Sequence, residues 1–77
     1  MKELIEHIVQ AMVDNPEQIK IAKIAGDNTA VYELRVAKND LGKVIGKRGR
    51  NVSAIRTILT AASGTARKGR AILEIIE

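Results

Sequence analysis

"LGKVIGKRGRNVSAI", residues 41–55, sets three glycines and four basic residues in front of an apolar helical pattern. Glycine weakens a helix, and neighbouring lysines and arginines repel one another. Placing both between two apolar segments calls for a use. "LGKVI" is about one helical turn, "GKRG" interrupts it, and Val52, Ile55, Ile58, Leu59 and Ala62 then recur at helical spacing. Two helices joined at residues 46–49 are predicted, the second running from Arg50 to about Ala62. Asn39 and Asp40 precede the first and supply an expected N-cap.

Working outward, "AVYELRVA" (residues 30–37) alternates, with Tyr32, Leu34 and Val36 facing one way and Glu33 and Arg35 the other. "QIKIAKIA" (residues 18–25) is short and β-branched, and the turn cluster "GDNT" (residues 26–29) links the two as a hairpin. Leu4, Ile5, Ile8, Val9, Met12 and Val13 predict an N-terminal helix ending near Asp14 or Asn15, before Pro16. "SGTARKGR" (residues 63–70) reads as a basic loop and "AILEIIE" (residues 71–77) as a last strand. The order is α-β-β-α-α-β, an α+β fold with a three-stranded mixed sheet and the helices packed on one face. If the last strand pairs parallel to the middle one, the crossover should be right-handed. The expected core is Leu4, Ile8, Met12, Leu34, Val36, Ile45, Ile55, Leu59, Leu73 and Ile75, with Tyr32 also inside.

At 77 residues the chain is expected to be one small domain, and domains of this size bury only about 60% of their unfolded surface. Cysteine is absent, which excludes disulfide and thiolate-zinc frameworks. No apolar run approaches the roughly 18 residues that span a bilayer, and the N-terminal stretch lacks a signal-peptide cleavage site. A cytoplasmic protein without a membrane partner is expected. Charge is uneven. Residues 1–40 carry five Lys/Arg and seven Asp/Glu, a net of −2, whereas residues 41–77 carry eight Lys/Arg and two Asp/Glu, a net of +6. No acidic residue occurs between Leu41 and Leu73. One sign over so long a stretch suits a polyanion.

Known glycine motifs fit poorly. The nucleotidase phosphate loop needs four residues between its glycines and then Lys-Ser/Thr, but Gly42 and Gly46 have three between and Lys47 precedes Arg48. The 4-and-3 spacing of Gly42, Gly46 and Gly49 misses the dinucleotide fingerprint. Gly42 and Gly46 do not lie in an apolar 20-mer of the kind that pairs in membranes. A DNA-reading helix-turn-helix would have to be braced by "LGKVI" alone. What remains is Gly46-Lys47-Arg48-Gly49 leading into a helix. Glycines permit the tight turn and a close approach. Free helix N-terminal amides attract phosphate oxygens, and Lys47 and Arg48 add positive charge. Ile45, Val52 and Ile55 can line a groove against the edge strand for unstacked bases. The arrangement suits a single strand better than a duplex.

"VIGKRGRNVSAIRTI" resembles the K-homology (KH) signature, in which a GxxG loop joins two helices and clamps a four-nucleotide backbone segment. The element order looks like the type II KH fold, and the whole chain is similar to the small bacterial single-KH RNA-binding proteins of the KhpA family. The resemblance implies single-stranded RNA as the ligand, Gly46, Lys47, Arg48 and Gly49 as the clamp, and pairing either with a second copy or with a larger KH-domain RNA-binding protein. An RNA-chaperone or post-transcriptional role follows as an expectation. The candidate RNA-binding set is Lys43, Ile45, Gly46, Lys47, Arg48, Gly49, Arg50, Val52, Arg67 and Lys68. Lys43, Arg50 and Arg56 read equally well as solvated helix charges; Arg67, Lys68 and Arg70 either border the groove or are simply solvated; and Gly42 can serve close packing of the short helix. His7, on the polar side of helix one, reads as a surface residue. No catalytic residue, metal set, cofactor or small-molecule substrate is expected, because no nucleophile–base pair, carboxylate pair or metal-ligand spacing is present. The competing reading is a dimerisation module with a KH fold and only residual RNA binding.

Overall fold

The hairpin that organises the sheet is built from strands β1 (Lys20–Ala25) and β2 (Thr29–Arg35), paired antiparallel with Ile21 opposite Leu34 and Ile24 opposite Val31. The computed structural model describes residues 1–64 and 70–77. The turn between the strands closes with the Gly26 amide donating to the Thr29 carbonyl at 2.7 Å. Strand β3 (Arg70–Ile75) lies parallel to β2, so the order is β1-β2-β3 and the sheet is mixed, as expected. Helix α1 (Lys2–Gln10) precedes the sheet, and α2 (Leu41–Ile45) and α3 (Arg50–Gly64) form the crossover. Single 3-10 turns at Pro16–Gln18, Lys38–Asp40 and Lys47–Gly49 join these elements.

All three helices cover one face. Their buried residues Ile5, Val9, Val44, Val52, Ile55 and Leu59 pack with Tyr32, Leu34 and Leu73 of the sheet. Burying an aliphatic or aromatic side chain of this size contributes about 1.5–3 kcal/mol, so these few residues dominate the stability of the domain. Tyr32, Leu34, Ile55, Leu59 and Leu73 are inside as predicted.

Helix α1 differs from expectation. Its apolar stripe holds two i,i+4 rows, Leu4-Ile8-Met12 and Ile5-Val9-Val13. The second row takes the centre: Ile5 and Val9 are fully buried, Ile8 and Met12 pack at the margin, and Leu4 is 36% exposed. The two rows lie side by side, offset by about 100° around the helix, so periodicity alone does not choose between them. The helix also ends at Gln10, short of Asp14, and Met12 closes the last turn with a 2.9 Å bond to the Val9 carbonyl. Val36, Ile45 and Ile75 are half-buried and pack against the core from outside, whereas Val44 is fully buried. On the opposite face of the sheet the register aligns Ile24, Val31 and Ile72 in one row. Ile24 and Ile72 are exposed there.

Candidate nucleic-acid interface

The loop between α2 and α3 is shaped by backbone that turns left-handed at three of four residues. Gly46 ends α2 at φ 77°, ψ 170°, Arg48 has φ 58° and Gly49 has φ 73°. The Gly46 amide donates to Gly42 O at 2.8 Å and the Gly49 amide to Gly46 O at 3.1 Å. Gly46 sits in the region that side-chain-bearing residues almost never enter. A Cβ there would lie 2.6 Å from Asn51 Cγ and 2.8 Å from the Asn51 backbone nitrogen. Arg48 is the only described residue other than glycine with positive φ. Gly42 differs: no atom lies within 4 Å of where its Cβ would be, so close packing within the chain is not its use.

Lys47, Arg48 and Arg50 are exposed, and none forms an ion pair among the described residues. Helix α3 has no acid in its first turn. The positive end of its dipole therefore meets three cationic side chains, although the Gly49 and Arg50 amides are already taken by the Gly46 and Lys47 carbonyls. Ile45 and Gly46 are half-buried beside the loop. Val52 is only 8% exposed and Ile55 only 2%, so both belong to the core and support the loop from beneath. Arg67 and Lys68 lie outside the described residues.

Lys43 is engaged within the chain. Its ammonium bonds to the Asp14 carboxylate and lies 3.7 Å from Asp40 Oδ1. The bond to Asp14 chiefly raises the Lys43 ammonium above its ordinary range. Asp40 is fully buried, and it is not the helix cap that its position suggested, because its side chain bonds to no amide of α2. Its two oxygens instead accept the backbone amides of Asp14 at 3.1 Å and Asn15 at 2.9 Å, with the Asn15 side chain at 3.2 Å. This carboxylate ties the segment after α1 to the start of α2. Burial pushes the Asp40 carboxyl up, but those amides and Lys43 outweigh it and hold it below the usual carboxylate value.

A carboxylate with a lowered folded-state pKa stabilises the fold above the unfolded value of about 3.9, and the gain is lost as pH falls through the folded value. Asp40→Asn is expected to melt roughly 5 °C or more below the parent at neutral pH, since its NH2 would face an N–H that a carboxylate oxygen now accepts. The gap should hold down to about pH 5 and narrow below about pH 4. Melting curves across that range check this; a gap unchanged at the acid end would contradict the role given to the charge.

Sequence reasoning passed over Asn51. Its Nδ2 donates to the Lys43 carbonyl at 2.7 Å, satisfying the end of α2 from the first turn of α3. An asparagine just after a glycine turn is a side chain suited to such a backbone bond, and that was the available signal.

Comparison with known proteins shows the family. A family profile described as KhpA/KhpB, KH domain matches residues 2–75. A Chlamydia pneumoniae protein named RNA-binding protein KhpA is 46% identical over 77 residues, covering 100% of this chain and 97% of that one. Proteins of the same name from Clostridium acetobutylicum, 43% identical over 99% of this chain and all of the relative, and Aquifex aeolicus, 46% identical over all of this chain and 96% of the relative, are also similar. No solved structure matches the chain.

Proposed function

The chain belongs to the KhpA/KhpB KH-domain family, and from that premise we propose that it is a non-catalytic RNA-binding protein whose Gly46–Gly49 loop clamps a short single-stranded RNA backbone. One observation carries the reading. The loop presents Lys47 and Arg48 to solvent directly before a helix N-terminus that no acid neutralises. Gly46, Gly49 and Arg50 shape and flank the clamp, Ile45 borders it, and Val52 supports it. Lys43 acts here mainly through Asp14 and Asp40, holding α2 in place. The role that fits such a clamp is that of a cytoplasmic RNA chaperone or post-transcriptional regulator.

A four-nucleotide clamp has little purchase on a duplex, whose bases are paired and stacked. Single-stranded RNA should therefore bind more tightly than duplex DNA of the same length. A competition measured by fluorescence anisotropy checks this, and equal or better competition by the duplex would overturn the choice of ligand.

Pairing with a second copy or with a larger KH-domain protein belongs to the same proposal. Its support is the apolar surface left outside the small core: Ile24 is 52%, Ile58 44% and Ile72 39% exposed. These side chains also favour the second reading, an interaction module with residual RNA binding. That reading requires loop charge reversal to leave function intact while polar substitutions at these isoleucines abolish it. Light scattering that gave a single-chain mass at every concentration, with and without RNA, would remove self-association.

A further inference from the structure

We propose that Arg56 is the base-stacking platform of the single-strand site, a role that rests on the RNA-binding reading. Single-strand binders hold bases on flat π-surfaces, most often aromatic rings. This chain has no Phe or Trp, and its one Tyr, Tyr32, is 4% exposed in the core. An arginine guanidinium is the other planar side chain on which unstacked bases settle.

Arg56 is placed and restrained for this use. Its Nη2 donates to the Leu73 carbonyl at 3.1 Å. Strand β3 is an edge strand. The Ile76 amide bonds to Leu34 of β2, so by alternation the Leu73 backbone faces the open edge. The guanidinium thus spans from α3 to the free edge of β3, with one N–H tethered, on an exposed side chain that makes no other hydrogen bond among the described residues. No carboxylate lies within ion-pair distance of it among the described residues. Along α3, Arg56 follows Val52 by four residues on the same flank, and it lies about 10 Å down the axis from Gly49 at about 1.5 Å per residue. A strand whose phosphates sit at the loop runs toward this edge within a few nucleotides. A tethered plane loses less freedom on binding than a free side chain, so it contributes more per contact than Lys47 or Arg48, which form no ion pair among the described residues.

The test uses Arg56→Lys, which keeps the charge and removes the plane, with Arg56→Gln as a neutral planar companion. Each is titrated with single-stranded RNA and with a strand of equal length in which the bases over the clamp are abasic. The parent should prefer the base-bearing strand. Arg56→Lys should lose roughly five- to tenfold on that strand and almost nothing on the abasic one, the size expected of one stacked base. Its salt dependence should match the parent's, because no phosphate contact is lost. Arg56→Gln should fall between the two on the base-bearing strand. Equal losses on both strands, whether from a lost phosphate contact or from unfolding, would overturn the proposal. So would an Arg56→Lys variant that binds like the parent. If the parent itself binds no RNA, the clamp reading fails as well; if the parent binds and only the Arg56 variants are silent, the clamp stands without this platform.

Discussion

Replacing Lys47 and Arg48 together by Asp is expected to lower RNA affinity at least about tenfold, or roughly 1.4 kcal/mol, while the fold survives. Both side chains are exposed and neither belongs to the core, and such surface changes usually cost within about 0.5 kcal/mol. The backbone argues the same way. Arg48 occupies a left-handed conformation at φ 58°, which Asp adopts more readily than most residues. Acids just before α3 also complement its dipole. The substitution therefore leaves the glycines and the helix in place and reverses only the charge that meets phosphate. Anisotropy titration with single-stranded RNA measures the loss, and circular dichroism with thermal melting verifies the fold. A folded double variant that binds like the parent would mean that the loop serves the turn alone.

Gly46→Ala is expected to be the most damaging glycine-to-alanine change among the described residues. The residue pays twice, in conformation and in space. Its φ of 77° and ψ of 170° lie in a region that costs a residue with a side chain about 1–3 kcal/mol. The added Cβ would also lie 2.8 Å from the backbone nitrogen of Asn51, which cannot swing aside as a flexible side chain could. A total near 3 kcal/mol is large against the roughly 0.05–0.15 kcal/mol per residue that holds domains together. The melting temperature should fall by more than about 12 °C. The other glycines rank the causes. Gly49 at φ 73° has its nearest neighbour, Val52 Cγ1, at 3.9 Å, so Gly49→Ala should show the conformational cost without the clash. Gly42 lies in helix α2 with nothing within 4 Å, so Gly42→Ala should stabilise by about 0.5–1 kcal/mol. Thermal melts of the three variants check the order, and a Gly46→Ala protein that melted with the parent would refute the geometry of the loop.

Period and punctuation made most of the architecture legible. The alternation of Tyr32 and Leu34 declared the buried face of β2, and the glycines at 46 and 49 marked the break between α2 and α3. The misreadings have a common cause, since each depends on contacts far apart in sequence. Leu4-Ile8-Met12 and Ile5-Val9-Val13 are equivalent until the sheet selects the second. Asp40 resembles a helix cap, but its carboxylate bonds to Asp14 and Asn15, 26 and 25 residues earlier. That bond also explains why Asp14 and Asn15 stand outside α1. The same holds at the site. The GxxG spacing singled out residues 46–49 locally, but Lys43 looked free because its partner Asp14 comes from another element. Arg56 looked like an ordinary helix charge because its partner is a backbone carbonyl of β3.

The most direct measurement of the central claim is the salt dependence of RNA binding, taken on the parent and on the Lys47→Asp/Arg48→Asp variant. A clamp on four nucleotides neutralises about three or four phosphates, and at about −0.7 per phosphate for a single strand the parent's log–log slope should be about −2 to −3. The variant's slope should be shallower by the phosphates the loop no longer holds. A parent slope steeper than about −5, or a slope that the charge reversal leaves unchanged, would show that the general basic surface tracks the RNA and that the loop is not its clamp.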